Sequence, residues 1–342
     1  MVDQPQELVV LPDAPVIPGL RFRPFHGQAD YSAMAAVHEG SREWDHIDPR
    51  SARESIPTAI DLADTFAAVP SRSPDILIAE AAGQVVGYNH VLHCWTEETG
   101  TRVYLHLGYL LPAWRGRGIG SALLHWSQER IRAIARDERP AGLTTFATNV
   151  SSTEREAGAL MRQNGYTDVR RLSDMAAELP IELRRDLLSM SLPAGVALKP
   201  LEEAHYRAVY QAWKDAFAGM WTSTPESEDD YREFVADNVD GPGCDPTLYR
   251  IAWAGDQVVG LVFARVQRGV GTIPEVAVRK AWQRHGIARC LMMSALQALQ
   301  DRGLTQTRLF TDAADGQGAR SLYEGLGFRD VKQHIFYRKP LN

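Results

Sequence analysis

The sequence has few cysteines, no surplus of positive charge and no long apolar run, and each shortage removes a class of protein. Cys94, Cys244 and Cys290 are its three cysteines. Few, odd in number and far apart, they form neither a disulfide framework nor a zinc pattern, and they read as indifferent thiols in a reducing cytosol. The formal net charge is −6 and neither half carries a basic run, which argues against nucleic acid as a partner. No stretch approaches the roughly 20 apolar residues needed to span a bilayer. Residues 1–18 lack a basic start and a long apolar core, so they read as a loosely held tail and not as a secretory signal. The expected protein is cytoplasmic, has no membrane partner, and is a monomer or homodimer. A hydrophobic content of 44% and a charged content of 23% suit folded domains. A length of 342 residues predicts two domains at roughly 150 residues each, either long enough to bury its own core.

What the sequence does hold is a repeat. Gly19-Leu20-Arg21-Phe22-Arg23-Pro24, followed by Tyr31, is echoed by Gly195-Val196-Ala197-Leu198-Lys199-Pro200, followed by Tyr206. Gly83-Gln84-Val85-Val86-Gly87 is echoed by Asp256-Gln257-Val258-Val259-Gly260. Trp114-Arg115-Gly116-Arg117-Gly118-Ile119-Gly120 returns as Trp282-Gln283-Arg284-His285-Gly286-Ile287-Ala288. Gln163-Asn164-Gly165-Tyr166 returns as Gly325-Leu326-Gly327-Phe328, each with an Asp-Val pair just after it. The spacing between copies shrinks slowly along the chain, which places slightly longer loops in the first. The period is far above that of a solenoid, so two whole domains are implied. Pro193 and Gly195 punctuate the seam. The expected layout is a tail at 1–18, a first domain at 19–183, a linker at 184–195 and a second domain at 196–342.

Each copy reads as a mixed α/β domain. A short strand precedes an amphipathic helix near Tyr31 or Tyr206. Two strands follow as a hairpin, Ile76 to Ala81 with Val85 to His93, and Tyr249 to Ala254 with Val258 to Val266. A third strand, Val103 to Leu111 or Thr272 to Val278, runs into the glycine-containing loop. A long helix follows, with apolar residues at helical spacing: Leu123, Leu124, Ile131 and Ile134, or Ile287, Leu291, Leu296 and Leu299. A strand (Leu143 to Thr148, Arg308 to Thr311), a short helix and a last strand close each copy.

Strand, glycine loop and helix in that order make an anion-binding device. The first N–H groups of a helix have no internal partner, and the positive end of its dipole lies behind them, so a phosphate fits there. Gly118 lacks a Cβ and lets a pyrophosphate approach the main chain. Gly120, or Ala288, is expected to be small for the same reason, with Arg115 and Arg117 adding charge. No Gly-Lys-Ser/Thr follows, so this is not a Walker loop, and no βαβ unit precedes it as a Rossmann fingerprint requires.

Arg115, Gly118 and Gly120, and again Gln283, Gly286 and Ala288, match the Arg/Gln-x-x-Gly-x-Gly/Ala loop of GNAT (Gcn5-related) acetyltransferases. Arg284 stands where a glycine is common. Leu322-Tyr323-Glu324-Gly325-Leu326-Gly327-Phe328 matches the family's terminal segment. The chain therefore resembles two GNAT domains in tandem, each a mostly antiparallel twisted sheet flanked by helices. The two-domain layout is also similar to that of the mycothiol synthases, although no matched residue carries their substrate over. The resemblance implies acetyl-CoA as cofactor. Its contacts would be Leu110, Leu111, Arg115, Gly116, Arg117, Gly118, Ile119, Gly120 and Ser121 in the first copy. In the second they would be Ala277, Val278, Gln283, Arg284, His285, Gly286, Ile287, Ala288 and Arg289.

Acetyl transfer needs a neutral amine, a polarised carbonyl, a protonated leaving thiolate and two substrates held together. The resemblance implies that a backbone N–H near Ala277 or Val278, and near Leu110, polarises the thioester. It places Tyr323 as the acid toward the sulfur; a phenol of pKa about 10 can protonate a thiolate whose thiol has pKa about 8.5. The first copy has Met161 there, which has no proton to give. The family's Asn before this helix is absent from both copies, with Gly316 in its place in the second. Glu275 and His106 are the candidate bases. Glu275 stands one residue from the family's usual position, which in a pleated strand changes the face, and His106 titrates near neutrality when unperturbed. The second copy is expected to do the chemistry on a small-molecule amine. The first either binds CoA structurally or is a second active site that needs no Tyr.

His90 and His93 lie three apart on a strand and face opposite sides, which argues against a metal pair. The acids Glu226, Glu228, Asp229 and Asp230 read as the start of a helix capped by Ser223-Thr224-Pro225-Glu226. Trp44, Trp213, Phe217 and Trp221 read as core or as the lining of an acceptor pocket. A non-catalytic CoA-binding sensor or scaffold, and a protein N-acetyltransferase, are the competing functions.

Overall fold

The computed structural model describes residues 8–67, 75–97, 99–180, 191–219, 226–241, 243–314 and 318–341, without the side chains of Leu92 and His93. Two compact units emerge. Unit 1 comprises residues 1–49, 53–171 and 334–342, and unit 2 comprises 50–52 and 172–333.

Unit 1 contains β1 (Arg21–Pro24), α1 (Tyr31–Ser41), α2 (Ala59–Ala67), β2 (Ile76–Ala81), β3 (Gln84–Thr96), β4 (Arg102–Leu110), α3 (Ile119–Glu138), β5 (Thr144–Ser151) and α4 (Arg155–Gln163). Strand β6 (Thr167–Glu178) begins in it and passes into unit 2. Unit 2 continues with β7 (Val196–Lys199), α5 (Tyr206–Phe217), α6 (Glu228–Asn238), β8 (Arg250–Ala254), β9 (Gln257–Gln267), β10 (Val270–Val278), α7 (Ile287–Asp301), β11 (Gln306–Asp312) and α8 (Ala319–Gly325). Strand β12 (Arg329–Pro340) starts in unit 2 and ends in unit 1. Within each unit the described strand pairs are antiparallel except for one parallel pair, β4 with β5 and β10 with β11.

The units depart from a division at 184–195, and residues 184–190 of the expected linker lie outside the described residues. Each unit is closed by a strand from the other half of the sequence. His334–Pro340 of β12 pairs with β5 inside unit 1, and Leu172–Glu178 of β6 pairs with β11 inside unit 2. A sheet edge must be paired or covered, and here the covering strand comes from far along the chain.

The strands of unit 1 are buried on both faces. Along β2, Leu77, Ala79 and Ala81 face a cluster built on α3 with Ile119, Ala122 and Leu123. The alternate residues Ile76 and Ile78 face Tyr31, Met34 and Leu62 of α1 and α2. That is the period of two expected of a strand between layers. In unit 2 one cluster joins α5, α7 and the sheet through Val209, Tyr210, Phe263, Leu291 and Leu299.

Residues 8–18 differ from the loosely held tail expected of them. Val9, Leu11, Ala14 and Ile17 pack on the α3 cluster, the Val9 N–H bonds Phe22 O at 2.9 Å, and Asp13 pairs with His125 at 3.1 Å. Their alternating apolar side chains cover a face that would otherwise be exposed. The expected cap at Ser223–Pro225 lies outside the described residues. The cap seen on α6 is Ser227, whose Oγ accepts the Asp230 N–H at 3.0 Å.

A buried ion network ties β1 to the rest of unit 1. Arg23 donates to Asp30 at 2.7 and 2.9 Å and to Glu80 at 2.7 Å, with all three side chains buried. Burial pushes both carboxyls up, but their bonds to Arg23 outweigh it and hold each below its ordinary value. Replacing Arg23 with Met leaves buried Asp30 without its ion-pair partner and Glu80 with Arg21 alone, so Arg23→Met is expected to cost about 3–5 kcal/mol in urea unfolding at pH 7. With folded pKa values lowered, the wild-type contribution is complete above the ordinary carboxylate range and fades as pH falls below about 4.

Candidate functional site

Both sites grow from a ladder that stops early. The parallel pairing of β4 with β5 runs from Arg102↔Thr144 to Leu105↔Ala147, although β4 continues to Leu110 and β5 to Ser151. Beyond it, Leu107–Leu110 and Thr148–Ser151 line a cavity of about 590 Å³. In unit 2 the ladder spans Gly271↔Thr307 to Ile273↔Leu309, while β10 runs on to Val278 and β11 to Asp312.

The strand ends are pinned alike in both copies. The Leu111 N–H bonds Val86 O at 2.9 Å and the Arg279 N–H bonds Val259 O at 3.0 Å. Arg115 Nε donates to Leu110 O at 2.9 Å, and Gln283 Nε2 donates to Val278 O at 3.1 Å. The first residue of the loop motif thus fastens the strand to the loop. Arg115 also makes a two-fold bond to Asp45, each contact 2.6 Å. The guanidinium expected to add charge for a phosphate is held by that carboxylate.

In the loops, Gly118 and Gly286 cap α3 and α7 in the left-handed region, at φ 89° and 79°. Gly116, Arg117 and Gly118 are exposed, as are Arg284 and His285, while Ile119 and Ile287 anchor the helix starts in the core. Arg117 lies over the Trp114 ring at 5.1 Å, and His285 Nδ1 shares a hydrogen bond with Gln283 O at 2.8 Å. A Cβ on Gly120 would meet Leu160 at 3.3 Å, so close packing on α4 also demands a small residue there. Ser121 lines the cavity, and Arg289 lies beside Gly325 of α8.

In unit 2, Glu275 sits where the register of β10 against β9 shifts, between Thr272 and Glu275. The irregularity moves it off the regular alternation, and Trp213 Nε1 of α5 donates to its carboxylate at 2.9 Å. Burial pushes its pKa up to about 7, against the Trp213 bond and Arg265. Ala277 and Val278 are buried at the strand end, and Tyr323 is buried with its ring 6.1 Å from Phe328. The acids beside α6 are engaged locally: Glu228 with Arg207, and Asp230 with Tyr210 and Lys214. Trp213 stacks obliquely on Phe217 at 5.5 Å, joining the two aromatics expected near an acceptor pocket. Trp221 and Gly316 lie outside the described residues.

In unit 1, His106 lines the cavity but is almost fully buried and shares a 2.8 Å hydrogen bond with Tyr166 OH. Burial pulls it down to about 3, so near neutrality it is an uncharged imidazole and a weak base. Met161, opposite in sequence to Tyr323, also lines the cavity. His90 packs edge-on to Phe66 at 5.2 Å and Tyr88 at 5.7 Å, in an aromatic group with Tyr109. Trp44 is exposed and donates to Glu156 at 3.1 Å.

Sequence reasoning missed Asp45 and Glu154. Asp45 lies 70 positions from its partner Arg115. Glu154 stands at the N-cap position of α4 without a side-chain bond to the helix, and its carboxylate accepts the Ser151 N–H at 2.7 Å. A carboxylate three residues after a strand's end and just before a helix was the available signal.

Arg284 stands where unit 1 has Gly116, and it adopts the same left-handed backbone, φ 66° against 71°. An L residue there costs about 1–2 kcal/mol, and glycine returns part of that as unfolded-state entropy. Arg284→Gly is expected to raise stability by about 0.5 kcal/mol in chemical denaturation, while weakening CoA binding measured by calorimetry through loss of an exposed cation.

A sequence model of the Acetyltransferase (GNAT) family matches residues 206–328, and one of the Acetyltransferase (GNAT) domain matches residues 72–168. The chain is 28% identical over 295 residues to a mycothiol acetyltransferase from Nocardiopsis dassonvillei, covering 79% of this chain and 83% of the relative. It is 30% identical over 230 residues to a mycothiol acetyltransferase from Kineococcus radiotolerans, covering 66% and 69%. The fold is similar to a GCN5-related N-acetyltransferase from Sphaerobacter thermophilus, with TM-score 0.73, 24% identity, and 97% and 98% of the two chains covered. It is also similar to a tandem GNAT protein from the clavulanic acid biosynthesis pathway, with TM-score 0.63, 16% identity, and 94% and 99% covered. No helix among the described residues is long and apolar enough to cross a membrane. With one GNAT match in each half and relatives aligned along most of its length, the chain belongs to the GNAT acetyltransferase family and is a tandem, acyl-CoA-dependent N-acetyltransferase.

Proposed function

We propose that the protein moves an acetyl group from acetyl-CoA to the primary amine of a small molecule, with chemistry in unit 2. The names of the curated relatives, mycothiol acetyltransferases, support an acceptor among mycothiol-related amines. Acetyl-CoA supplies the activated thioester carbonyl. The chain's exposed left-handed loops at two helix starts, Gly116–Gly118 and Arg284–Gly286, suit its pyrophosphate.

The observation that carries the reading is Glu275, a carboxylate beside the shortened ladder, fixed by Trp213 and raised to about 7. A base is best matched near the working pH. Glu275 takes one proton from the incoming ammonium, the strand end near Ala277 and Val278 orients the carbonyl, and the nitrogen bonds the carbonyl carbon as the carbon–sulfur bond breaks; Tyr323 protonates the departing sulfur and is restored by the second N–H proton.

The test is thiol release from acetyl-CoA across a panel of small amines. Tyr323→Phe is expected to lower kcat by about 100-fold or more, with KM for acetyl-CoA retained. A protein that binds CoA and releases no thiol with any amine is a sensor or scaffold instead. Because Glu275 must be deprotonated to act, kcat/KM is expected to rise with pH through about 7. Trp213→Phe removes a bond that lowers the Glu275 pKa, so the midpoint of that rise is expected to move up.

A further inference from the structure

The cavity of unit 1 has features that a cofactor channel alone does not require. One part is lined by the loop residues Gly116, Gly118, Gly120 and Ser121; another is lined by α1 and the segment after it, through His38, Ser41, Asp45 and Glu54. Two buried polar side chains that line it have atoms without hydrogen-bond partners: Ser41 Oγ and Asn89 Oδ1, with Ser41 8% and Asn89 4% exposed. Unpaired buried polar atoms are costly and rare, and both of these belong to residues in the cavity wall. The charge around them is acidic. Asp45, Glu54, Glu154 and Glu156 line the cavity against Arg53 and Arg115, and Arg115 is already held by Asp45.

We propose that this cavity is a second acyl-acceptor site, taking a primary alkylammonium with neighbouring polar groups, and that Glu154 is its proton acceptor. The inference rests on the acyl-CoA reading given above.

Glu154 is reachable from the cavity yet enclosed by protein. It sits at the open end of β5, directly before α4. Burial pushes it up to about 7, helped by Asp45 and Glu54 and opposed by the Ser151 N–H bond and by Arg115. Tyr109 of β4 also feels its charge. His106, the other candidate in this cavity, is pulled far below neutrality by burial, so Glu154 is the better matched base.

The step balances without a tyrosine. The ammonium gives one proton to Glu154 and then to water. Its nitrogen bonds the thioester carbon, the carbon–sulfur bond breaks, and the second N–H proton goes to the thiolate. A thiol with pKa about 8.5 is a good enough leaving group for Met161 to stand where Tyr323 stands in unit 2.

The experiment uses the full chain carrying Glu275→Gln and Tyr323→Phe together, assayed for thiol release from acetyl-CoA with the amine panel. Saturable turnover is expected to remain, and adding Glu154→Gln is expected to lower it by about 100-fold or more. The Gln oxygen still accepts the Ser151 N–H, which preserves the turn after β5. Ser41→Ala in the same background is expected to raise KM for the amine with kcat little changed; this holds the test even if Glu154→Gln fails to fold. If wild type turns over and the double variant is silent, or if its residual rate ignores both Glu154→Gln and Ser41→Ala, the second site is refuted and the unit 2 reading stands. If wild type releases no thiol with any amine, both readings fall.

Discussion

A strand whose ladder ends part-way leaves its remaining N–H and C=O groups to be satisfied by something else. In this chain that happens twice, once past Leu105 and once past Ile273. Everything at the sites follows from those interruptions. They open the space beside β4 and β10, and they require the freed strand ends to be held by other means. Besides a backbone bond in each copy, the holding is done from one motif position: Arg115 on Leu110 O and Gln283 on Val278 O. The alternation Arg/Gln in the loop motif therefore has a structural meaning, since both side chains carry an N–H that reaches back five residues. Arg117 and Arg284 stay exposed beside the left-handed loop backbone.

The two copies place their titratable groups differently because their surroundings differ. In unit 2 a carboxylate sits on the strand itself, lifted by burial and steadied by an indole. In unit 1 the equivalent stretch of strand offers His106, but burial without a charged partner makes it a poor base. The carboxylate there comes from the other side of the opening, at the β5–α4 junction, where neighbouring acids lift it into the same range. Both copies keep the opening, while the raised carboxylate lies on the strand in one and at the β5–α4 junction in the other.

Much of this was legible in the sequence. The repeat gave the doubled sheet-and-helix order. The glycine pattern gave the loops, with left-handed backbones at Gly118 and Gly286 where no side chain is tolerated without strain. The strand Ile76–Ala81 and the helix starts at Tyr31 and Tyr206 fall where the pattern of apolar residues puts them. These features are local, and local spacing carries them. What could not be read is long-range. No local pattern says that residues 334–340 pair with β5 or that 172–178 pair with β11. Nor does any local pattern say that Asp45 claims Arg115, or that the apolar residues among 8–18 lie on α3.

That division explains why the shape of the loops is easier to read from sequence than the pKa of a carboxylate. A phosphate site is built from backbone amides at one strand–helix junction, so one stretch of sequence encodes it whole. A general base is useful only through its pKa, and the pKa is set by neighbours drawn from several elements. Glu275 owes its value to burial under α5 and to Trp213, 62 positions away. Glu154 owes its value to burial and to Asp45 and Glu54 in the segment after α1. Residue type nominates a carboxylate in either case; only the assembled fold decides whether it is an ordinary surface acid or a group poised to take a proton near neutral pH.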